Sequence, residues 1–362
     1  MTPRALILAD DLTGAADCGV QAVRRGLRAT VSLRGDPGTV DADVLAIDLD
    51  TREGSESDAR ERTRAAVRDT ALLYVKLDSR LRGHPGAAIQ GALEGVGAEV
   101  AVVAPAFPAQ GRTTVDGLAE RLRRGTTRPV RSVGRGDGLD MEQPGILACD
   151  AEDDADLARI AAAGRAAGRR VVWAGSAGLA AALFEDLPAG AGVAADVDAV
   201  PGSAVLAVVG SVAAASATQL EALLARPGCV GIAVDPAAAA RAGEEARAVL
   251  ARGGDAVLRL EPGMPRLRRE AAPRLAAALA RAAAAAIEPA AGLLLTGGET
   301  ARAVCDRAGV TSIDLIGEVE PGVPLGRAGD PARVVVTKSG GFGGPGTLVD
   351  AIDAIKARCG CP

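Results

Sequence analysis

The stretch ALILADDLTGAADCG, residues 5–19, sets an apolar run against two consecutive aspartates and then a segment of helical period that opens on Thr13 and Gly14. A buried strand turning into a helix through a polar corner is half of a βαβ unit. The pattern recurs outward along the chain. ATVSL, DVLAID, LLYVK, EVAVVA, GILAC and RVVWA alternate with Ala/Arg/Glu stretches in the first half, and AVLAVVG, CVGIAV, AVLRL, GLLLT, SIDLI and RVVVT do so in the second. The reading is α/β: two α/β domains, each a mostly parallel sheet flanked by helices.

A chain of 362 residues can bury two compact cores, and two domains with an active-site cleft between them are the default at this length. Residues 185–202, EDLPAGAGVAADVDAVPG, lack periodicity and are rich in Gly, Ala and Pro, which places the domains at 1–190 and 203–362. Residues 118–143, rich in Arg and Gly, read as a long surface connection.

Composition removes several function classes. The net charge of -5 and the scatter of Arg along helices speak against nucleic acid and anionic membranes as partners. Aromatic residues at 1% cannot furnish a base-stacking platform. The single histidine, His84, excludes a His-based metal site, and the six dispersed cysteines read as reduced thiols of a cytoplasmic protein. The N-terminal apolar run is too short for a secretory signal. The Ala-rich run LAAALARAAAAAI is interrupted by Arg281 and too short to span a bilayer.

Among 41 basic residues only three are lysine, and two of these, Lys76 and Lys338, end apolar runs that lead into glycine-punctuated loops. In open α/β sheets ligands bind at the carboxyl ends of strands. A compact ammonium placed there in an Arg-rich chain points to phosphate or carboxylate chemistry.

Four strand-end loops in the first half are polar. At the first, Asp10 and Asp11 would repel a pyrophosphate and suit a hydroxylated substrate, a magnesium ion or a catalytic base, although one of the two also fits a helix N-cap. In KLDSRLRGHPG, Lys76, Asp78, Arg80 and Arg82 give the charge density expected for gripping a small organic anion. His84, between Gly and Pro, reads as a loop organiser. In APAFPAQGRTTVDG a proline-stiffened backbone presents Gln110, Gly111, Arg112, Thr113 and Thr114. The spacing around Ser176 in WAGSAGL is not that of a nucleophile elbow, which sets hydrolase chemistry aside.

In the second half, VVGS with Gly210 and Ser211, LTGGET at 295–300 and TKSGGFGGPG at 337–346 are small-residue loops between strand and helix, suited to cradling phosphate with backbone amides. None matches a P-loop, and the first βα turn lacks G-x-G-x-x-G.

In this order, ADDLTGA, KLDSRLRG, APAFPAQGRTT, AGSAGL, TGGET, GEVEPGVPLGR and TKSGGFG resemble the four-carbon acid sugar kinase family, whose members phosphorylate threonate, erythronate or 3-oxo-tetronate with ATP. The resemblance covers nearly the whole chain. It implies an N-terminal domain for the sugar acid and a C-terminal domain for ATP, facing each other across a cleft. It implies further that Asp10, Asp11, Lys76, Asp78, Arg82 and Arg112 face the substrate, and that Ser211, Gly297, Gly298, Glu299, Thr300, Gly340, Gly341 and Gly343 face the nucleotide. Two departures stand out: Ala213 and Ser216 occupy positions where relatives carry Ser and Thr, and the stretch after residue 117 is shorter than in most of them.

The expected reaction is phosphoryl transfer from ATP·Mg²⁺, with Asp11 or Asp78 as base, Arg82 and Arg112 on the substrate carboxylate, Lys76 neutralising charge and Lys338 steadying the ATP phosphates. The metal ligands are unknown from sequence, which also leaves open whether copies of the chain form a homo-oligomer. A non-catalytic sugar-acid or nucleotide sensor is the alternative. A nicotinamide-dependent oxidoreductase is disfavoured by the acids at the first βα turn.

Overall fold

The computed structural model describes residues 2–35, 38, 40–113, 115–168, 170–190, 192, 202–261 and 271–359. The chain divides into two compact units, Met1–Val193 and Ala194–Pro362. Most of the connecting stretch read from sequence lies outside the described residues, as does Thr114.

The first unit holds β1 (Ala5–Ala9), α1 (Leu12–Val23), β2 (Ala29–Ser32), β3 (Val44–Asp48), α2 (Glu56–Ala66), β4 (Leu72–Lys76), α3 (Pro85–Val96), β5 (Val100–Ala104), α4 (Leu118–Arg123), β6 (Val130–Val133), β7 (Gly145–Cys149), α5 (Asp154–Ala166), β8 (Val171–Gly175) and α6 (Ala177–Phe184). Its strands run in the order β2-β3-β1-β4-β8-β5-β7-β6, and every pairing is parallel. Both faces are covered, so the central strands read as continuous apolar runs instead of alternating ones. Leu6 and Leu8 of β1 join Leu45, Ile47, Leu73 and Val75 in one core with Ile89 and Leu93 of α3. Helix α1 packs on α6, and α6 on α5; α2 packs on α3.

Residues 118–143, expected to be a long surface connection, carry α4 and β6. LAERLR is too short to show a period, yet Leu118, Ala119 and Leu122 are buried, and VRSV is an edge strand with only its end residues buried. Tertiary burial of a few apolar side chains decides both elements where local pattern is weak.

The second unit holds β9 (Val205–Val209), α7 (Ala214–Leu224), β10 (Cys229–Val234), α8 (Ala239–Ala251), β11 (Asp255–Leu260), α9 (Ala272–Ala286), β12 (Gly292–Thr296), α10 (Gly298–Arg307), β13 (Ser312–Glu318), β14 (Pro324–Ala328), β15 (Arg333–Lys338) and α11 (Thr347–Arg358). Strand order is β10-β11-β9-β12-β15-β14-β13, parallel as far as β15 and antiparallel through β14 and β13. Leu348, Ile352 and Ile355 of α11 and Leu223 of α7 pack on Val205, Leu294, Val334 and Val336. Helices α8, α9 and α10 pack together in sequence. Among the described residues no helix is long and apolar enough to cross a membrane.

Candidate active site

In the first unit, Ala9 at the end of β1 is in register with Asp48 of β3 on one side and Lys76 of β4 on the other. The helix that follows β1 packs with α6, whereas the helix that follows β4 packs with α2. Neighbouring strands whose helices leave in different directions open a crevice at their carboxyl ends, where α/β proteins bind ligands.

Three loops meet at that crevice. Asp11 is the N-cap of α1: its Oδ1 accepts from the Gly14 amide at 2.8 Å and its Oδ2 from Thr13 Oγ1 at 2.8 Å. Both aspartates are clamped by Arg52, from the loop after β3. Its Nε and Nη2 donate to Asp10 at 2.8 and 2.6 Å, and Nη1 and Nη2 donate to Asp11 at 2.5 and 2.8 Å. Burial opposes the guanidinium charge, but Asp10 and Asp11 outweigh it and push the Arg52 pKa up. Burial pushes the Asp10 carboxyl up, against the pull of Arg52.

Asp78 is held differently. Burial alone would raise its pKa, but the Arg82 fork at 2.9 and 2.8 Å, the charge of Arg52 and the Arg82 amide hold it well below the ordinary carboxylate value. Leu81, at φ 55 a non-glycine residue in the left-handed region, buries its side chain between Arg80 and Arg82. Such strain is kept where neighbours over-determine it.

Lys76 is buried, and its Nζ donates to Leu77 O at 3.0 Å. A methyl group on Gly14 would come within 3.2 Å of that ammonium, so the lysine stands against the first turn of α1. Arg112 is turned back by a tight loop in which Phe107 and Arg112 exchange backbone hydrogen bonds across Gln110 and the left-handed Gly111, and its Nη1 reaches Ser79 Oγ. Burial first, then the charge of Arg80, lowers its pKa. Lys76, Arg52, Arg80, Arg82 and Arg112 thus stand beside Asp10, Asp11 and Asp78, with buried Asp17 also facing Arg112, and the cluster of cations at this rim suits an anion.

The sequence reading missed Arg52 and Ser79. The signal for Arg52 was its place in DLDTREG, directly after the apolar run of β3. His84 Nε2 donates to Gly54 O at 2.7 Å and Ser176 Oγ to Ala106 O at 2.6 Å, both loop-organising bonds.

In the second unit, Val209, Thr296 and Lys338 are register partners at the ends of β9, β12 and β15, so the loops after them are neighbours. Gly210 packs on Thr300, where a methyl would lie 1.9 Å from Thr300 Oγ1, and Gly340 packs equally close on Ser211 Oγ. Gly297, at φ 96, turns the chain into α10 ahead of Gly298 and Glu299. The helices that follow, α7, α10 and α11, have Ala213, Gly297 and Gly346 as N-caps, and none has a side-chain cap hydrogen bond. No capping side chain therefore stands between the positive ends of these helices and an anion.

Lys338 departs from expectation. It is completely buried, and its Nζ donates to main-chain carbonyls of its own loop, Ser339 O at 2.9 Å and Phe342 O at 2.9 Å among them. A phosphate contact does not follow from that geometry; burial turns the ammonium to the nearest carbonyls. Among the described residues no group of three or more His, Cys, Asp and Glu side chains could hold a metal ion.

A cation-rich strand-end crevice on one α/β unit and, on the other, helix N-termini without side-chain caps after three neighbouring strands fit a two-domain phosphotransferase. Comparison with known proteins agrees in both halves. Residues 5–132 and 119–183 match the family described as a sugar-binding N-terminal domain, and residues 206–348 match a nucleotide-binding C-terminal domain. The D-threonate kinase of Cupriavidus necator is 35% identical over 97% of both chains. That of Bordetella bronchiseptica is likewise 35% identical over 97% of each. A solved structure from Salmonella typhimurium LT2, 20% identical, superposes with a TM-score of 0.77 over 96% of this chain and 98% of that one, and shows the same fold. The chain belongs to the four-carbon acid sugar kinase family, and is a sugar-acid kinase rather than a sensor or a nicotinamide-dependent oxidoreductase.

Proposed function

We propose that the chain transfers the terminal phosphoryl group of ATP, as its magnesium complex, to a hydroxyl of a four-carbon sugar acid, with D-threonate as the first candidate because the full-length relatives carry that name. The observation that carries the reading is the contrast between the two rims. Fixed cations crowd one of them, whereas the other offers three adjacent helix N-termini without side-chain caps.

On this reading residues 1–190 take the sugar acid. Arg82, Arg112 and Gln110 grip its carboxylate, with Gly111 making the turn that brings Arg112 in, and Lys76 neutralises charge on the phosphoryl group. Residues 203–362 take the nucleotide, with Ser211, Gly297, Gly298, Glu299, Thr300, Gly340, Gly341 and Gly343 around its phosphates. Magnesium arrives on those phosphates and needs only one or two carboxylates from the protein.

Of the three aspartates, Asp78 is held low by burial-resistant pairing with Arg82, and Asp11 is committed to capping α1. Asp10, pushed up by burial, is the best placed to accept the hydroxyl proton, with Arg52 aligning it.

ADP release measured over D-threonate, D-erythronate and 3-oxo-tetronate, with an NAD(P)H absorbance control, tests the proposal. Release with one of these acids supports it, and turnover with none of them sinks it. Asp10→Asn should cut turnover by about a hundredfold or more and remove the acid limb from the pH profile of the activity that remains. An Asp10→Asn enzyme as fast as wild type would return the base to Asp11 or Asp78.

A further inference from the structure

Loop 339–344 is fixed from the inside by three buried side chains. Lys338 Nζ donates to Ser339 O at 2.9 Å, Phe342 O at 2.9 Å and Gly340 O at 3.5 Å. Ser216 Oγ, from α7, donates to Gly340 O at 2.8 Å. One turn on, Gln219 Nε2 donates to both Phe342 O and Gly344 O at 2.9 Å.

A trans peptide is planar, and its carbonyl and the following N–H point in opposite directions. Drawing the carbonyls of Ser339, Gly340 and Phe342 inward therefore turns outward the amides of Gly340, Gly341 and Gly343, the same three glycines that the family resemblance implies face the nucleotide. The remaining amide in the series runs the other way: Phe342 N donates back to Ser339 O at 3.1 Å, closing the turn. The peptide planes are thus sorted by what holds them beneath. An array of outward amides is an anion cradle.

We propose that Lys338 is a positioning residue for the nucleotide: together with Ser216 and Gln219 it pins the loop's carbonyls, so that three amides face the phosphates, and it sets a positive charge beneath them. This rests on the nucleotide reading of the second unit. It departs from the expectation that Lys338 touches phosphate, since its ammonium lies on the inner side of the loop.

The surroundings of the ammonium give the proposal a signature. Burial lowers its pKa to about 8, against an upward pull from Glu320, whose carboxylate accepts from Thr347 Oγ1 at the start of α11. The groups facing it from α7 are the uncharged Ser216 and Gln219, and its register partner on β12 is Thr296. A phosphate anion on the other face favours the charged form, so nucleotide binding at pH 8 draws a proton from solution.

Calorimetry of ADP binding in two buffers of different ionisation enthalpy reads that uptake directly. Wild-type enzyme is expected to take up a fraction of a proton at about pH 8, above the range in which the terminal phosphate of ADP itself titrates. Lys338→Met should weaken ADP by about tenfold or more, leave the KM for the sugar acid within about twofold and abolish the uptake. Ser216→Ala and Gln219→Leu should each weaken ADP less and keep the uptake. Wild type that binds ADP without proton uptake at pH 8, or a folded Lys338→Met enzyme with unchanged ADP affinity, overturns the proposal while leaving the nucleotide site standing. Wild type that binds no ADP overturns both. Should Lys338→Met fail to fold, the wild-type proton count and the two α7 variants decide the matter.

Discussion

Arg52 and Asp10 lie 42 positions apart in the chain and share two hydrogen bonds, Nε to Oδ2 at 2.8 Å and Nη2 to Oδ1 at 2.6 Å, while the same guanidinium reaches Asp11 with its other edge. One cation thus holds two adjacent carboxylates that would otherwise repel. Gly83 seals the arrangement, since a methyl there would lie 3.2 Å from Asp10 Oδ2 and 3.4 Å from Arg52 Cα.

Removing the guanidinium strands two largely buried carboxylates. Arg52→Met should cost about 3–5 kcal/mol of stability, the range for breaking a buried ion pair from one side. Arg52→Lys keeps the charge but loses the fork, and should recover stability in part while kcat stays at least about tenfold down. Urea titration and steady-state kinetics on the same preparations separate the two effects. Adding Asp10→Asn to Arg52→Met should cost less than the sum of the single changes, because the second change relieves the charge that the first exposed.

Why Arg52 escaped the sequence reading follows from the same pair. Its partners are remote in sequence, and although Arg52 follows the apolar run of β3, nothing in DTREGSES marks it as the partner of two distant aspartates. Asp10 and Asp11 were visible because both sit at the first strand end, and Lys76 because it breaks an apolar run. The strand and helix alternation was legible wherever both faces of a strand are buried, as in β1 or β12. It failed at β14, PLGRA, which begins with Pro, contains Gly and Arg, and is held by antiparallel pairing with β13 and β15. The position of Lys338 at a strand end was readable too. The direction of its ammonium was not, because that depends on Ser216 and Gln219 more than a hundred residues earlier closing the same loop.

The depressed pKa of Asp78 links the site to acid stability. A carboxyl held below its ordinary value in the folded chain contributes stability that is fully present above the unfolded value near about pH 4 and is lost as pH falls through the folded value. Thermal melts of wild type and Asp78→Asn from about pH 7 down to about pH 2 should therefore converge, the wild-type advantage shrinking below about pH 4. A gap that stays constant across that range would mean the Arg82 pairing adds nothing to folding.

Gly340 is required by space. A methyl there would sit 1.9 Å from Ser211 Oγ and 2.8 Å from Ser211 Cβ, so Gly340→Ala must push the loops after β9 and β15 apart. The expected result is a KM for ATP raised by about tenfold with the sugar-acid KM little changed, and partial recovery when Ser211→Gly is added, as neighbouring sites couple. Equal rises in both KM values would instead indicate general damage to the fold.

A clash far from either strand-end rim supplies the matching control. Gly164 of α5 lies against Trp173, the chain's single tryptophan, and a methyl at that glycine would fall 2.3 Å from Trp173 Cη2. Overpacking of this kind costs about 1–3 kcal/mol. Gly164→Ala should therefore lower the unfolding midpoint by several degrees, about 2–4 °C for each kcal/mol in a domain of this size. It should also shift the emission of the one tryptophan, because the ring must move or the helix must lift. Both KM values and kcat should hold within about twofold below the melting transition, since α5 contributes no side chain to the Arg52 cluster or to the loop above Lys338. A Gly164→Ala enzyme that melts normally but has lost activity would show that α5 is coupled to the site by a route absent from these contacts.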